Sequence, residues 1–425
     1  MRRLAQGVNM IAHQASHAVL PTREHSKARH NCARLSCQLS HDVVLGVHKV
    51  LLQHTTSYVS FASRRPLLTP VSSMNSTVIL LIIGVLLVLP TILPLATVPW
   101  WWVRAWDFPR LQLAILYLVA IGLLYVWAPR GWTRFIIAVA LILCIAYQLS
   151  WVYAYLPIAP VQTQRATTTS AQHTLRIMVA NILMTNRAAE KFLQAVNQAD
   201  PDILIVDEPD AWWGEQLRGL DAVFPHQTKY PLGNTYGMIF LSRLPVVRSE
   251  VKFVVEDDIP SIHSIIQLRS GQPVELISLH PRPPQPNVDT EERDAELVLV
   301  GRGVRKSPYP SIVAGDMNDV GWSHTSELFQ KVSGLLDPRR GRGLYATFHA
   351  EYPFLRYPLD HLFHSEEFRL VSMRVLDDVG SDHFPLLVVL SYEPGRKQEQ
   401  EVPRMQPGDH ELAREKIERL EEGKP

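Results

Sequence analysis

Cysteine is scarce in this 425-residue chain: there are three, and the last is Cys144. The C-terminal half therefore has no disulfide framework and no thiolates for a zinc site. Cys32 and Cys37 lie near the N-terminus without a second matching pair, so they form no zinc site either. No Gly-x-Ser-x-Gly elbow occurs in the C-terminal half, which excludes that type of serine hydrolase. No internal repeat is present. The formal net charge is only +1, and Thr77–Tyr155 has almost no charge at all.

That uncharged stretch contains Thr77–Thr97, long enough to cross a bilayer, and two further runs, Leu111–Ala128 and Phe135–Tyr155. Trp100, Trp101, Trp102, Trp127 and Trp132 fall near the ends of these runs, where membrane interfaces collect aromatics. A buried helical core explains three successive runs less well. Residues 74–156 are expected to be a membrane region with three transmembrane helices, the first kinked by Pro90 and Pro94.

Residues 1–73 hold nine Lys and Arg against two acids, Glu24 and Asp42. Such a leader reads as a targeting segment, or as a stretch ahead of a natural start at Met74, and is expected to be disordered or absent. Residues 157–174, rich in Thr, read as an unstructured linker. Residues 175–392 are long enough for one α/β domain with a substantial core. Residues 393–425 form a charged tail, with a solvated helix expected over Glu411–Glu422.

Within the domain, apolar runs of strand length occur at Leu175–Ala180, Ile203–Val206, Met238–Leu241, Ile262–Leu268, Val274–Leu279, Ile312–Ala314 and Leu386–Leu390. Helical segments are expected at Ala188–Gln198, Trp212–Leu220 and Thr290–Val304. Interleaved strands and helices indicate an α/β fold, and the strand-rich middle indicates a partly antiparallel sheet.

Polar residues gather at the strand ends. Asn181 follows the first run, Asp207 and Glu208 the second, His280 the fifth, and Asp316 and Asn318 the sixth. Asp360 and His361 sit in PLDHLF, and Asp382 and His383 precede the last strand. Each alone suits a cap or a turn. As a set, at one rim of a sheet, they suit a site. Asp316 and Asn318 would share a face if the strand stays extended; otherwise Gly-Asp-Met-Asn is a turn.

Hard oxygen ligands favour Mg²⁺ or Mn²⁺. With two imidazoles they suit metal-assisted hydrolysis of a phosphoester. Glycosidase chemistry by paired carboxylates gives the amides and imidazoles no role.

These motifs in this order resemble the endonuclease/exonuclease/phosphatase superfamily, the fold of deoxyribonuclease I, exonuclease-III-type nucleases, neutral sphingomyelinases and inositol polyphosphate 5-phosphatases. The resemblance covers Leu175–Tyr392 through Asn181, PDILIVDE, GMIFLSRLPV, SLHPRPP, AGDMND, PLDHLF and SDHFPL. It implies a four-layer α/β/β/α sandwich and a metal-dependent phosphoesterase. It also implies that Asn181, Glu208 and Asp382 hold the metal and that Asp316 orients or deprotonates water. Asn318 would hold a phosphate oxygen or the nucleophile, Asp360 would pair with His383 at the phosphate, and His280 would stabilise the phosphate or protonate the leaving oxygen. Two positions depart from the family pattern: Asp207 stands where many members have Gln, and Leu183 where some have an acid. Adjacent strand residues face opposite ways, so Asp207 and His361 are not expected in the site.

From Thr174 to Glu393 there are 21 Lys and Arg against 30 Asp and Glu, a difference of −9. That balance disfavours processive binding of duplex DNA. Arg339, Arg340 and Arg342 form either a phosphate-gripping patch or a solvated loop. The substrate alternatives are nucleic acid and a phospholipid or small phosphodiester. The basic leader favours a cytoplasmic N-terminus and a periplasmic or exterior hydrolase. The alternative function is a catalytically inactive, membrane-bound binding module.

Overall fold

Three long apolar helices come first in the computed structural model, which describes residues 75–422; the basic leader lies outside them. Helix α1 (Ser76–Ile92), α2 (Arg110–Trp127) and α3 (Trp132–Val152) are each long and apolar enough to cross a membrane. Pro90 lies inside α1 without ending it, and Pro94 lies in the short 3₁₀ turn, Leu93–Leu95, that follows. A thin polar seam joins the three helices. Gln148 donates to Thr91 at 2.9 Å and accepts from Arg110 at 3.1 Å, and the Thr91 and Tyr117 hydroxyls are 2.9 Å apart. Their outer faces are apolar and exposed, as a lipid-facing surface requires.

In the domain, side-chain alternation builds the layers. Along β1 (Thr174–Asn181), Leu175, Ile177 and Val179 face one buried cluster while Met178 and Ala180 face another. β2 (Ile203–Asp207) repeats this with Ile203 and Ile205 against Leu204 and Val206. With β3 (His226–Tyr230), β4 (Met238–Ser242), β10 (Phe368–Val375) and β11 (Leu386–Tyr392) they form a six-stranded sheet ordered β10-β11-β1-β2-β4-β3. A second sheet, β5-β6-β7-β8-β9, consists of β5 (Val246–Lys252), β6 (Ser261–Gln267), β7 (Pro273–Ser278), β8 (Ser311–Asp316) and β9 (Asp360–His364).

One apolar cluster joins the inner faces of both sheets, with Ile312 and Ala314 of β8 and Leu362 of β9 meeting Ile177 and Ile205. Helices α4 (Ala189–Ala199) and α5 (Ala211–Gln216) cover the outer face of the first sheet through Phe192, Val196 and Trp213. Helices α6 (Glu291–Arg305) and α7 (His324–Ser333) cover the second through Leu297, Val300 and Phe329. The result is the four-layer α/β/β/α sandwich expected from the resemblance. Deleting a large side chain from the shared cluster would cost about 2–5 kcal/mol.

Several local readings change. Residues 157–174 are not a free linker: buried Thr163 is 2.9 Å from His364, and Thr167 donates to Glu393 at 2.9 Å. The tail helix α8 (Pro407–Glu422) is longer than expected and packs on the domain. Its Ala413 is fully buried, and Lys416 reaches Asp294 at 2.6 Å. Arg339 is neither a phosphate grip nor solvated. It is fully buried, forked onto Asp337 at 2.8 and 2.9 Å, and 2.6 Å from His361.

Candidate active site

The apolar cluster between the sheets ends in a polar layer, because inward-facing positions continue to the strand ends. Strands β1 and β2 are parallel with Asn181 opposite Asp207, while β8 and β9 are antiparallel with Asp316 opposite Asp360. Registry alone thus gathers these four residues at one end of the sandwich. All four are buried. Close approach helps to shape this end. Gly315, at φ 142°, lies where a Cβ would come 1.9 Å from the Leu279 carbonyl oxygen, so no side chain fits.

Asn181 bridges the two sheets. Its amide nitrogen donates to Glu208 at 2.8 Å and to Asp316 at 3.0 Å, while its oxygen accepts from the Leu183 N–H at 3.0 Å. Glu208 leaves β2 with φ 66°, and its second oxygen accepts from Met184 N–H at 3.2 Å. Such left-handed conformations at non-glycine residues collect at functional sites. Burial raises the Glu208 pKa and the Asp382 charge adds to this, against the lowering effects of His280 and the Asn181 hydrogen bond. Two carboxylates crowded this way are relieved by a divalent cation.

Asp316 and Asn318 converge through a turn, not through continued strand. Asn318 has φ 50°, and its N–H donates to Asp316 at 3.0 Å. Its side-chain nitrogen donates to the Pro281 carbonyl at 2.9 Å, tying this turn to the His280 loop. His280 Nε2 is 3.9 Å and His383 Nε2 is 3.5 Å from the same Asp316 oxygen. His383 Nδ1 is 2.8 Å from Asp360.

Burial alone would lower the pKa of His383, but the Asp360 and Asp316 carboxylates and the Asp360 hydrogen bond outweigh it and raise it to about 10. Its positive charge, with His280 and hydrogen bonds from Asn318 and Asn181, conversely keeps Asp316 ionised below the usual carboxylate range despite burial. Burial raises Asp360, and the adjacent His383 opposes that rise. Asp316, Asp360 and His383 have ligand atoms within 4.8 Å of one another, near enough to hold an ion.

His361 points away from the site. Its Nδ1 meets Arg339, its Nε2 meets the Asp319 carbonyl at 2.8 Å, and burial with the Arg339 charge lowers it to about 3. Asp207, by contrast, faces inward with Asp316, contrary to expectation. It is fully buried behind Asp316 and accepts that residue's N–H at 3.0 Å. Burial raises its pKa well above the ordinary value. Sequence reading missed this support, and it missed Phe348, whose ring lies 4.9 Å from that of His383. Phe348 has no local motif to mark it. Ser381, within SDHFPL, fastens the last loop by donating to the Asn181 carbonyl at 2.8 Å.

No curated protein matches the sequence. Among solved structures, D. rerio TDP2 complexed with single strand DNA product is 16% identical, with 51% of this chain and 99% of that chain covered and a TM-score of 0.44. The human Nocturnin catalytic domain with bound sulfate anion is 18% identical, with 52% and 94% covered and a TM-score of 0.43. An endonuclease/exonuclease/phosphatase from Bacteroides vulgatus is 17% identical, with 52% and 99% covered and a TM-score of 0.44. The stretch that holds every residue of the site, residues 178–383, matches the model of the Endonuclease/Exonuclease/phosphatase family.

Proposed function

We propose that the chain is a membrane-anchored, divalent-metal-dependent phosphoesterase. The observation that carries this reading is the meeting of Asp316, His280 and His383 around one carboxylate oxygen, beside Asn181 and Glu208. The family match over the same residues supports it.

Glu208 and Asp382, with Asn181 beside them, would hold Mg²⁺ or Mn²⁺. The donor set is carboxylate and amide oxygen, and the Asp382 charge adds to the cost of ionising Glu208. When bound, the metal supplies positive charge to the phosphoryl oxygens. Asp316, ionised and fixed by two donors, Asn181 and the Asn318 N–H, orients the attacking water and takes its proton. Water oxygen bonds to phosphorus, the P–O bond to the alcohol breaks, and the leaving oxygen takes a proton from His280. His383, held by Asp360, sets a fixed positive charge beside the phosphoryl group. One Asn318 amide hydrogen is used on Pro281, and the other is available to a phosphoryl oxygen.

The three apolar helices support membrane anchoring, with the catalytic domain at their Leu95, Arg110 and Tyr155 ends. The basic leader favours the periplasmic or exterior side for that domain. Alkaline phosphatase fusions after Gln162 should be active, and inactive fusions would reverse the orientation. For the chemistry, the full chain in detergent should hydrolyse bis(p-nitrophenyl) phosphate with Mg²⁺ or Mn²⁺ and not in chelator. Equal rates with and without metal would refute the reading.

A further inference from the structure

Three of the loops that build the site touch the membrane-side helices and the segments joining them. After His280, the loop reaches the segment between α1 and α2: Asp289 accepts the Trp101 N–H at 2.8 Å and the Thr290 N–H donates to the Pro99 carbonyl at 3.0 Å. After Asn318, Trp322 donates from its indole to the Asp107 carbonyl at 2.9 Å, and Tyr155 at the end of the third span donates to the Gly321 carbonyl at 2.6 Å. Before Asp360, the chain makes a hairpin over residues 347–357, and Gln112 donates to the Phe354 carbonyl at 2.9 Å. Gln112 is two residues past Arg110, so the hairpin tip is level with the first turn of α2, about 3 Å into the helix.

That hairpin is unusual at both ends. Its base touches the chemistry: Phe348 packs on His383 and the Ala350 N–H donates to the Asp382 carbonyl at 2.7 Å. Its tip is bare apolar surface, with Phe354 87% exposed, Leu355 49% and Tyr352 44%. Across the same collar, Trp100 and Trp102 are also exposed and stack at 5.8 Å. Water-exposed Phe and Leu side chains at a loop tip have no folding role, whereas aromatic and aliphatic groups at this height beside membrane-length helices are placed for the interface. Arg356, exposed at the hairpin base with its guanidinium 4.9 Å from the Phe384 ring centroid, adds a cation where a lipid phosphate would lie.

We propose that the hairpin tip Tyr352–Leu355 is seated in the leaflet and that the site takes its phosphoester from a lipid in that leaflet, with Arg356 and His383 meeting the head-group phosphate. This rests on the phosphoesterase reading above and narrows its substrate class. The acidic balance of the domain agrees, since it offers little to a nucleic-acid backbone.

The test uses the full chain reconstituted in vesicles of phosphatidylcholine, phosphatidylglycerol and phosphatidylinositol. Head-group release from the vesicles is compared with hydrolysis of water-soluble bis(p-nitrophenyl) phosphate and of single-stranded DNA. The double substitution Phe354→Ser with Leu355→Ser should lower vesicle-lipid cleavage about tenfold by weakening interfacial seating. Its kcat/KM on the soluble ester should stay unchanged, and Phe354→Leu, which keeps the tip apolar, should keep lipid cleavage near that of the wild type. The proposal is overturned if wild type cleaves the soluble ester but no vesicle lipid, if it prefers DNA, or if the double substitution leaves lipid cleavage intact. A parallel fall on both substrates overturns it too, because the hairpin would then support only the site. No cleavage of any substrate refutes the phosphoesterase reading itself.

Discussion

His383 Nδ1 lies 2.8 Å from Asp360 while His383 Nε2 lies 3.5 Å from Asp316, so one imidazole is held between two buried carboxylates. That placement fixes its charge and its orientation together. Replacing Asp360 with Asn removes one of the charges and should cost about 10²- to 10⁴-fold in kcat. Kinetics on a soluble phosphodiester, with circular dichroism to check the fold, would measure this.

The same pair sets a pH dependence. The folded pKa of His383, about 10, lies above its ordinary value of 6.5. Its contribution to stability is therefore complete below about pH 6.5 and is lost as pH rises through about 10. Melting temperature should fall over that window. In Asp360→Asn the fall should begin at lower pH, which thermal melts across pH would reveal.

Glu208 behaves in the opposite sense. Burial raises its carboxyl pKa above 4.5, so ionising it opposes folding once pH exceeds that value. Without metal, Glu208→Gln should be as stable as wild type or more so at neutral pH. Metal affinity, read by calorimetry with Mn²⁺, should drop about 10- to 100-fold or more. Stability gained where activity is lost marks a residue kept for function.

Asp207 supports Asp316 from behind. Asp207→Ala leaves the Asp316 N–H without its buried partner and should destabilise the domain by about 1–3 kcal/mol. Asp207→Asn keeps an acceptor oxygen and should stay near wild type. Urea denaturation of both variants would separate them.

Gly315 is the fifth test. A methyl group there meets the Leu279 backbone at 1.9 Å, so Gly315→Ala should shift β8 against β7. A loss of about 2–4 kcal/mol is expected in the same denaturation experiment.

The seven strands legible as apolar runs are the interior strands of both sheets, and β2, β4 and β8 among them are buried at every position. β3, β5, β9 and β10 escaped that reading, and all four are edge strands. His226–Tyr230 and Val246–Lys252 are half exposed and carry polar residues such as Gln227, Lys229, Arg248 and Glu250. Their pairing is decided by the neighbouring strand, not by their own pattern. The residues at the end of the sandwich were legible because carboxylates and amides ending apolar strands are conspicuous. The turn at Asn318, the buried acid Asp207 and the packing of Phe348 on His383 were not, since each depends on a partner far away in sequence. Ala413 and Thr163, on the segments read as tail and linker, are buried for the same reason.

Hydrolysis at the His383 and Asp316 meeting point is the central claim. The full chain, wild type beside His383→Ala, should be assayed on bis(p-nitrophenyl) phosphate with Mn²⁺, with Mn²⁺ binding measured on both. The expected result is metal-dependent turnover in the wild type and none in the variant, with metal affinity retained by both. Turnover unaffected by the substitution, or a folded, metal-binding wild type without turnover, would contradict it, and the second outcome would favour a binding module.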